Sequence, residues 1–168
     1  MGYNLQWLAV KNKDAKIVLK NIGLKSIHQY EELPESNFNA LKINDWYLVS
    51  NNFVKYFDLA IDEERDDVPI VKECNEVYKH FTDEMIKVLS KNCQVIRFDT
   101  SEYKMFSKVD CWEDGKNIWS VLHDCEYGIE HLGIEGNPPK ILDNIANKFK
   151  KNKMKIEIGV WIIFMKSL

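Results

Sequence analysis

His123, Asp124, Cys125 and Glu126 are consecutive, and His131 follows a few residues later. Two neutral imidazoles on one face with a carboxylate nearby could hold a zinc ion or serve as a general acid/base pair, because imidazole both ligates metal and titrates near neutral pH. His123 and His131 are therefore the catalytic candidates of this chain, and its candidates for metal ligation if any metal is bound. Asp124 points away from His123 if both lie on one strand, so a third ligand would have to come from a loop or another element. Cys125 beside Glu126 would act as a nucleophile only with a base in reach and an open polar setting.

Other signatures are missing. The chain has no Gly-x-Gly-x-x-Gly, no Walker loop, no Gly-x-Ser-x-Gly elbow and no His-Glu-x-x-His, and its seven glycines leave little material for a phosphate-cradling loop. Cys74, Cys93, Cys111 and Cys125 include no Cys-x-x-Cys pair, so free thiols are expected and no cofactor is implied.

The elements that must position the histidines begin with a hairpin. Asp114-Gly115 is a two-residue turn of the type that needs positive φ at both central positions. It sets Glu113 opposite Lys116 and Trp112 opposite Asn117, and a regular ladder then sets Cys111 opposite Ile118, Asp110 opposite Trp119 and Phe106 opposite His123. Alternation would place Met105, Val109, Cys111, Ile118 and Leu122 in the core. Phe106, Lys108, Asp110, Trp112, Trp119, Val121 and His123 would share the second face. A third strand over Ile129–Ile134 would bring His131 beside His123. On that second face, Phe106, Trp112, Trp119 and His123 form a candidate binding surface, since aromatic residues dominate interface hot spots. A helix entered through Pro138-Pro139 and carrying Ile141, Leu142, Ile145, Ala146 and Phe149 is the simplest cover for it.

Upstream, Leu5–Val10 reads as a strand, Ile17–Ile22 as a short helix stopped at Gly23, and Trp46–Val49 as a second strand. Ser26–Asn39 reads as irregular, and Phe53–Ile61 as strand or helix. The acidic cluster between Asp58 and Asp67 lacks calcium-loop spacing and reads as solvated. Ile70–Ser90 has helical periodicity with an interruption near Thr82, and Asn92 suits a left-handed cap before the strand Val95–Phe98. The five lysines of Lys148–Lys155 read as a helix end. The apolar segment Ile156–Met165 is expected to dock into a sheet.

Composition narrows the function classes. With 168 residues, 45% of them hydrophobic, the chain suits one domain, residues 1–168, with a core of its own. A net charge of −3 excludes the basic excess of a general nucleic-acid binder. No apolar run approaches the ~20 residues of a membrane helix, and no export or lipid signal opens the sequence, so a cytoplasmic protein is expected. Arg65 and Arg97 are the only arginines among 23 basic residues, which leaves few guanidinium forks for bidentate recognition.

Four segments carry a resemblance: Tyr3–Val10, Trp46–Val49, Asp114–Asp124 and His131–Pro138, the stretch around Trp119 and His123 being the most specific. Over about residues 3–150 the chain resembles a family of uncharacterised bacterial cytosolic proteins with no assigned activity. The resemblance implies a bacterial cytosolic protein, with further strand and helix after a polar segment near residue 150; Lys153–Leu168 is short by that measure.

The expectation is an α+β single domain in which a mainly antiparallel sheet, with a C-terminal meander, packs against two or three helices. The expected function is non-enzymatic: a protein-binding or immunity-type protein with a protein partner, no nucleic acid and no membrane. The alternative is a small metal-dependent or acid/base enzyme centred on His123 and His131.

Overall fold

The computed structural model describes residues 4–30, 36–52, 81–102, 104–128 and 131–141. Chain order is β1 (Asn4–Lys11), α1 (Ala15–Asn21), β2 (Phe38–Ile43), β3 (Trp46–Asn52), α2 (Asp83–Leu89), β4 (Gln94–Ser101), β5 (Phe106–Glu113), β6 (Lys116–Asp124), a single 3₁₀ turn (Cys125–Tyr127) and β7 (Gly133–Gly136). The strands form one seven-stranded sheet in the order β2-β3-β1-β4-β5-β6-β7, antiparallel throughout. This is the expected α+β architecture, and its last four strands are the expected meander. Neither described helix is long and apolar enough to cross a membrane.

Local chemistry explains the elements. Asp14 caps α1 by accepting from the Lys16 amide at 2.8 Å, and Gly23 leaves the helix at φ +72°. Thr82 caps α2 by accepting from the Met85 amide at 3.3 Å, with Asp83 and Glu84 in the first turn facing the positive helix pole. The helix expected over Ile70–Ser90 is therefore seen from Asp83, just past the foreseen interruption; its earlier part lies outside the described residues. So do Phe53–Ile61, the acidic cluster, and everything after Ile141.

Alternation along the strands divides the core into two clusters. On one face Leu8, Val10, Val49 and Val95 pack with Val18, Leu19 and Ile22 of the α1 region and with Phe81, Ile86 and Leu89 of the α2 region. On the other, Ala9, Trp46, Leu48, Ile96, Phe98, Val109, Cys111, Trp119 and Val121 form a second cluster. Ile141, at the start of the segment expected to cover the hairpin, packs against that second cluster with Leu132.

The Asp114-Gly115 turn forms as expected, with φ of +49° and +75°, and pairs Glu113 with Lys116 and Trp112 with Asn117. It is also anchored to α2. The amides of Asp114 and Gly115 donate to the Ser90 carbonyl at 2.9 Å and hydroxyl at 3.1 Å, while Asn92, in the left-handed conformation at φ +57°, donates its amide to Asp114 Oδ1 at 3.0 Å.

One residue further the ladder departs from the regular register. A β-bulge between Cys111 and Trp112 skips Ile118, so Cys111 pairs with Trp119 and Phe106 with Asp124. Because side chains alternate with period two, one extra residue exchanges the faces of everything beyond it. Trp119, Val121 and His123 thus join Val109 and Cys111, whereas Ile118 is exposed and Leu122 turns to the helix side. The assignment of Ile118 and Leu122 to the core face is corrected, for this reason. β7 is also displaced from the expected Ile129–Ile134: it pairs Leu122 with Gly133 and Val121 with Ile134.

Candidate functional site

The bulge separates the aromatic surface. Phe106 and Trp112 stand on the helix side of the sheet, Trp112 packing against the helix-side cluster and donating Nε1–H to Asp110 Oδ1 at 2.9 Å. Trp119 and His123 stand on the opposite side, where Trp119 is built into the core. Phe106, Trp112, Trp119 and His123 therefore do not form one face.

His123 and His131 do meet. His123 is 4% exposed, and its Nδ1 donates to the His131 carbonyl at 2.8 Å. The His131 Nδ1 accepts from the Asp124 amide at 3.2 Å. These bonds assign the proton to Nδ1 in His123 and to Nε2 in His131. Tyr127 stacks at a tilt on the His131 ring, 5.1 Å between centroids. Each imidazole thus fastens the loop between β6 and β7 through the main chain.

The neighbouring groups are similarly occupied. Asp124 Oδ1 caps the 3₁₀ turn by accepting from the Glu126 amide at 3.0 Å, and Cys125 Sγ donates to the Lys104 carbonyl at 3.2 Å. Among the described residues, no three His, Cys, Asp or Glu side chains come together as a metal-ligand set.

A denser polar centre lies on the helix side, and the reading of the sequence did not find it. Arg97, 8% exposed, sends Nε and Nη2 to Asp110 Oδ2 at 3.2 and 2.6 Å, Nη1 to the Phe81 carbonyl at 2.9 Å, and Nη2 to Asp83 Oδ1 at 2.7 Å. One guanidinium thereby ties β4 to β5 and to the start of α2. Burial pulls the Arg97 pKa down, but the charges and hydrogen bonds of Asp110 and Asp83 outweigh it and leave the pKa raised. Lys108 adds a contact to Asp110 Oδ2 at 3.5 Å.

Next to this centre, Asp99 pairs across the sheet with Gln6 on one side and Lys108 on the other. Burial pushes its carboxyl up to about 6, against the lowering effects of the Arg97 charge and of the Gln6 amide, which donates to Asp99 Oδ2 at 3.4 Å. The signal in the sequence was the rarity of arginine. A guanidinium in the middle of a strand, in a chain that otherwise uses lysine, calls for a planar, fully bonded partner set.

The sheet edges differ in how they are finished. β7 has four residues and ends at Gly136 with φ +70°. β2 has six, with no proline or bulge and Lys42 as its one charge. Its Leu41 and Ile43 are 60% and 43% exposed, on the same face as the buried Leu48 and Trp46 with which they pair. No protein-family model, curated protein or solved structure matches the chain.

Proposed function

We propose that this chain is a non-enzymatic protein-binding protein of the immunity type, which recognises a bacterial toxin by accepting an extended segment of it along the β2 edge. The observation that carries the reading is the β2 edge itself. Proteins protect sheet edges with short strands, prolines, bulges or several charges, and β2 has one lysine and none of the others. Strand addition would satisfy its outer main-chain groups. Leu41 and Ile43 would supply the alternating side-chain contacts that select a partner and would extend the row begun by Leu48 and Trp46.

The engagement of one ring nitrogen each of His123 and His131 in main-chain bonds supports the same reading, and among the described residues no third ligating group completes a set with them. The test is to capture a stoichiometric partner from the source cell and express it with and without this chain. We expect the partner alone to arrest growth, the native chain to relieve the arrest, and a Leu41→Lys/Ile43→Lys variant to fail while remaining folded. Relief by that variant equal to the native chain would overturn the edge as the recognition surface. A homodimer abolished by the same substitutions would reassign the edge to a second copy of the chain.

A further inference from the structure

Asn51, Gln6 and Asp99 are directly paired across β3, β1 and β4, so their side chains form one row on the helix side of the sheet. Asn4 stands on the same face two residues along β1. Asn51 is fully buried, and among the described residues neither its Oδ1 nor its Nδ2 has a hydrogen-bond partner; Asn4, 2% exposed, likewise has an unpartnered Oδ1. Gln6 is spent on both atoms, accepting from the Phe81 amide at 3.3 Å and donating to Asp99. Leaving a buried amide unbonded carries its full desolvation penalty, and native proteins rarely tolerate it.

The charge balance points the same way. Among the described residues Asp83, Asp99 and Asp110 face only Arg97 and Lys108, and both cations are engaged by Asp110. Among the described residues Asp99 has no ion-pair partner. Among the described residues the row therefore presents two unpartnered acceptors, at Asn51 and Asn4, one unpartnered donor, at Asn51 Nδ2, and beside them a carboxylate, Asp99, that accepts from Gln6 but has no countercharge of its own.

We propose that this row binds a small organic cation, an ammonium compound carrying an acceptor group of its own, with Asp99 holding the charge and Asn51 and Asn4 bonding the polar atoms around it. The burial of Asn4 and Asn51, with Asp99 half-buried beside them, favours a small molecule over a side chain inserted by a protein partner. The site is independent of the β2 edge and does not rest on toxin recognition.

Glycinamide, which combines an ammonium with an amide carbonyl, is the probe, and argininamide is the larger alternative. Carboxyl-carbon NMR of Asp99 is followed against pH with and without each probe at matched ionic strength, together with the side-chain amide signals of Asn51 and Asn4. The proposal expects saturable shifts of those signals and an Asp99 titration midpoint lowered by about one unit, a tenfold preference for the ionised carboxylate. Binding should be lost in Asp99→Asn and weakened in Asn51→Ala, with thermal melts confirming that both are folded. An unmoved Asp99 midpoint with both probes, equal binding by Asp99→Asn, or ordered water alone on Asn51 would overturn it.

Discussion

Asp99 gives the protein a specific pH response. Its folded pKa of about 6 lies above the ordinary 3.8, so the folded state holds the proton more tightly than the unfolded one. The resulting contribution is fully present below about pH 4 and is lost as pH rises through 6. In the native chain, ionised Asp99 opposes folding at neutral pH by on the order of 3 kcal/mol. Asp99→Asn should remove the penalty, stabilising the protein at pH 7.5 and leaving it slightly changed at pH 4. Denaturant melts of the two chains at both pH values check this, and an equal difference at both would contradict it.

His123 makes a second prediction at this scale, because its Nδ1–H bond to the His131 carbonyl can be kept without the ring. Asparagine places an N–H donor near the Nδ1 position, whereas alanine leaves the carbonyl unbonded and opens a cavity. His123→Ala should cost about 2–4 kcal/mol and His123→Asn distinctly less. If both histidines are structural, zinc titration of untagged native protein and of His123→Ala/His131→Ala should be indistinguishable. Cys111 belongs to the same argument: burial pushes its thiol up to about 11, so it should resist alkylation in the folded protein and react only on unfolding.

Among the elements, the β5–β6 hairpin shows what the sequence makes legible and what it hides. Asp114-Gly115 and the pairs Glu113–Lys116 and Trp112–Asn117 follow from local turn chemistry alone, and they form as expected. The bulge at Ile118 has no comparable local signal. It is decided by packing, since it brings both Trp119 and Val121 into the second cluster at the expense of exposing Ile118. For the same reason the aromatic set, which simple alternation places on one face, occupies two. β2 is hidden because Asn39 and Lys42 interrupt its alternation, as suits a strand with one side in water, and the Arg97 centre because its partners come from β5 and from the start of α2, both outside its own strand.

Gly136 is what the bulge requires of β7. It sits at φ +70°, and a Cβ there would lie 2.1 Å from the Ile118 carbonyl oxygen, a backbone atom that cannot swing away. Gly136→Ala should therefore detach β7 and cost at least about 2 kcal/mol, read by thermal melting and by loss of amide protection at Ile134. A near-native melt would show that the bulge can relax without the glycine.

At the scale of the whole molecule, two unlike faces and two unlike edges arise from one sheet. The helix side combines an apolar half under α1 and α2 with a polar half around Arg97 and the Asn51–Gln6–Asp99 row. The opposite side is an apolar cluster extending from Trp46 to Trp119, and its row through Leu48 and Trp46 continues outward to Leu41 and Ile43. Among the described residues β7 forms one edge of this sheet as a short, glycine-ended strand, and β2 forms the other with nothing paired to its outer side, which is the basis for the proposed recognition there.

The most direct measurement of that claim is backbone hydrogen exchange of the protein alone and in complex with its captured partner, resolved over Ala40–Ile43. Strand addition predicts that amides facing away from β3 exchange fast in the free protein and become strongly protected in the complex, with little change along β7. Unchanged exchange along β2 in a stoichiometric complex, with protection elsewhere, would contradict the account.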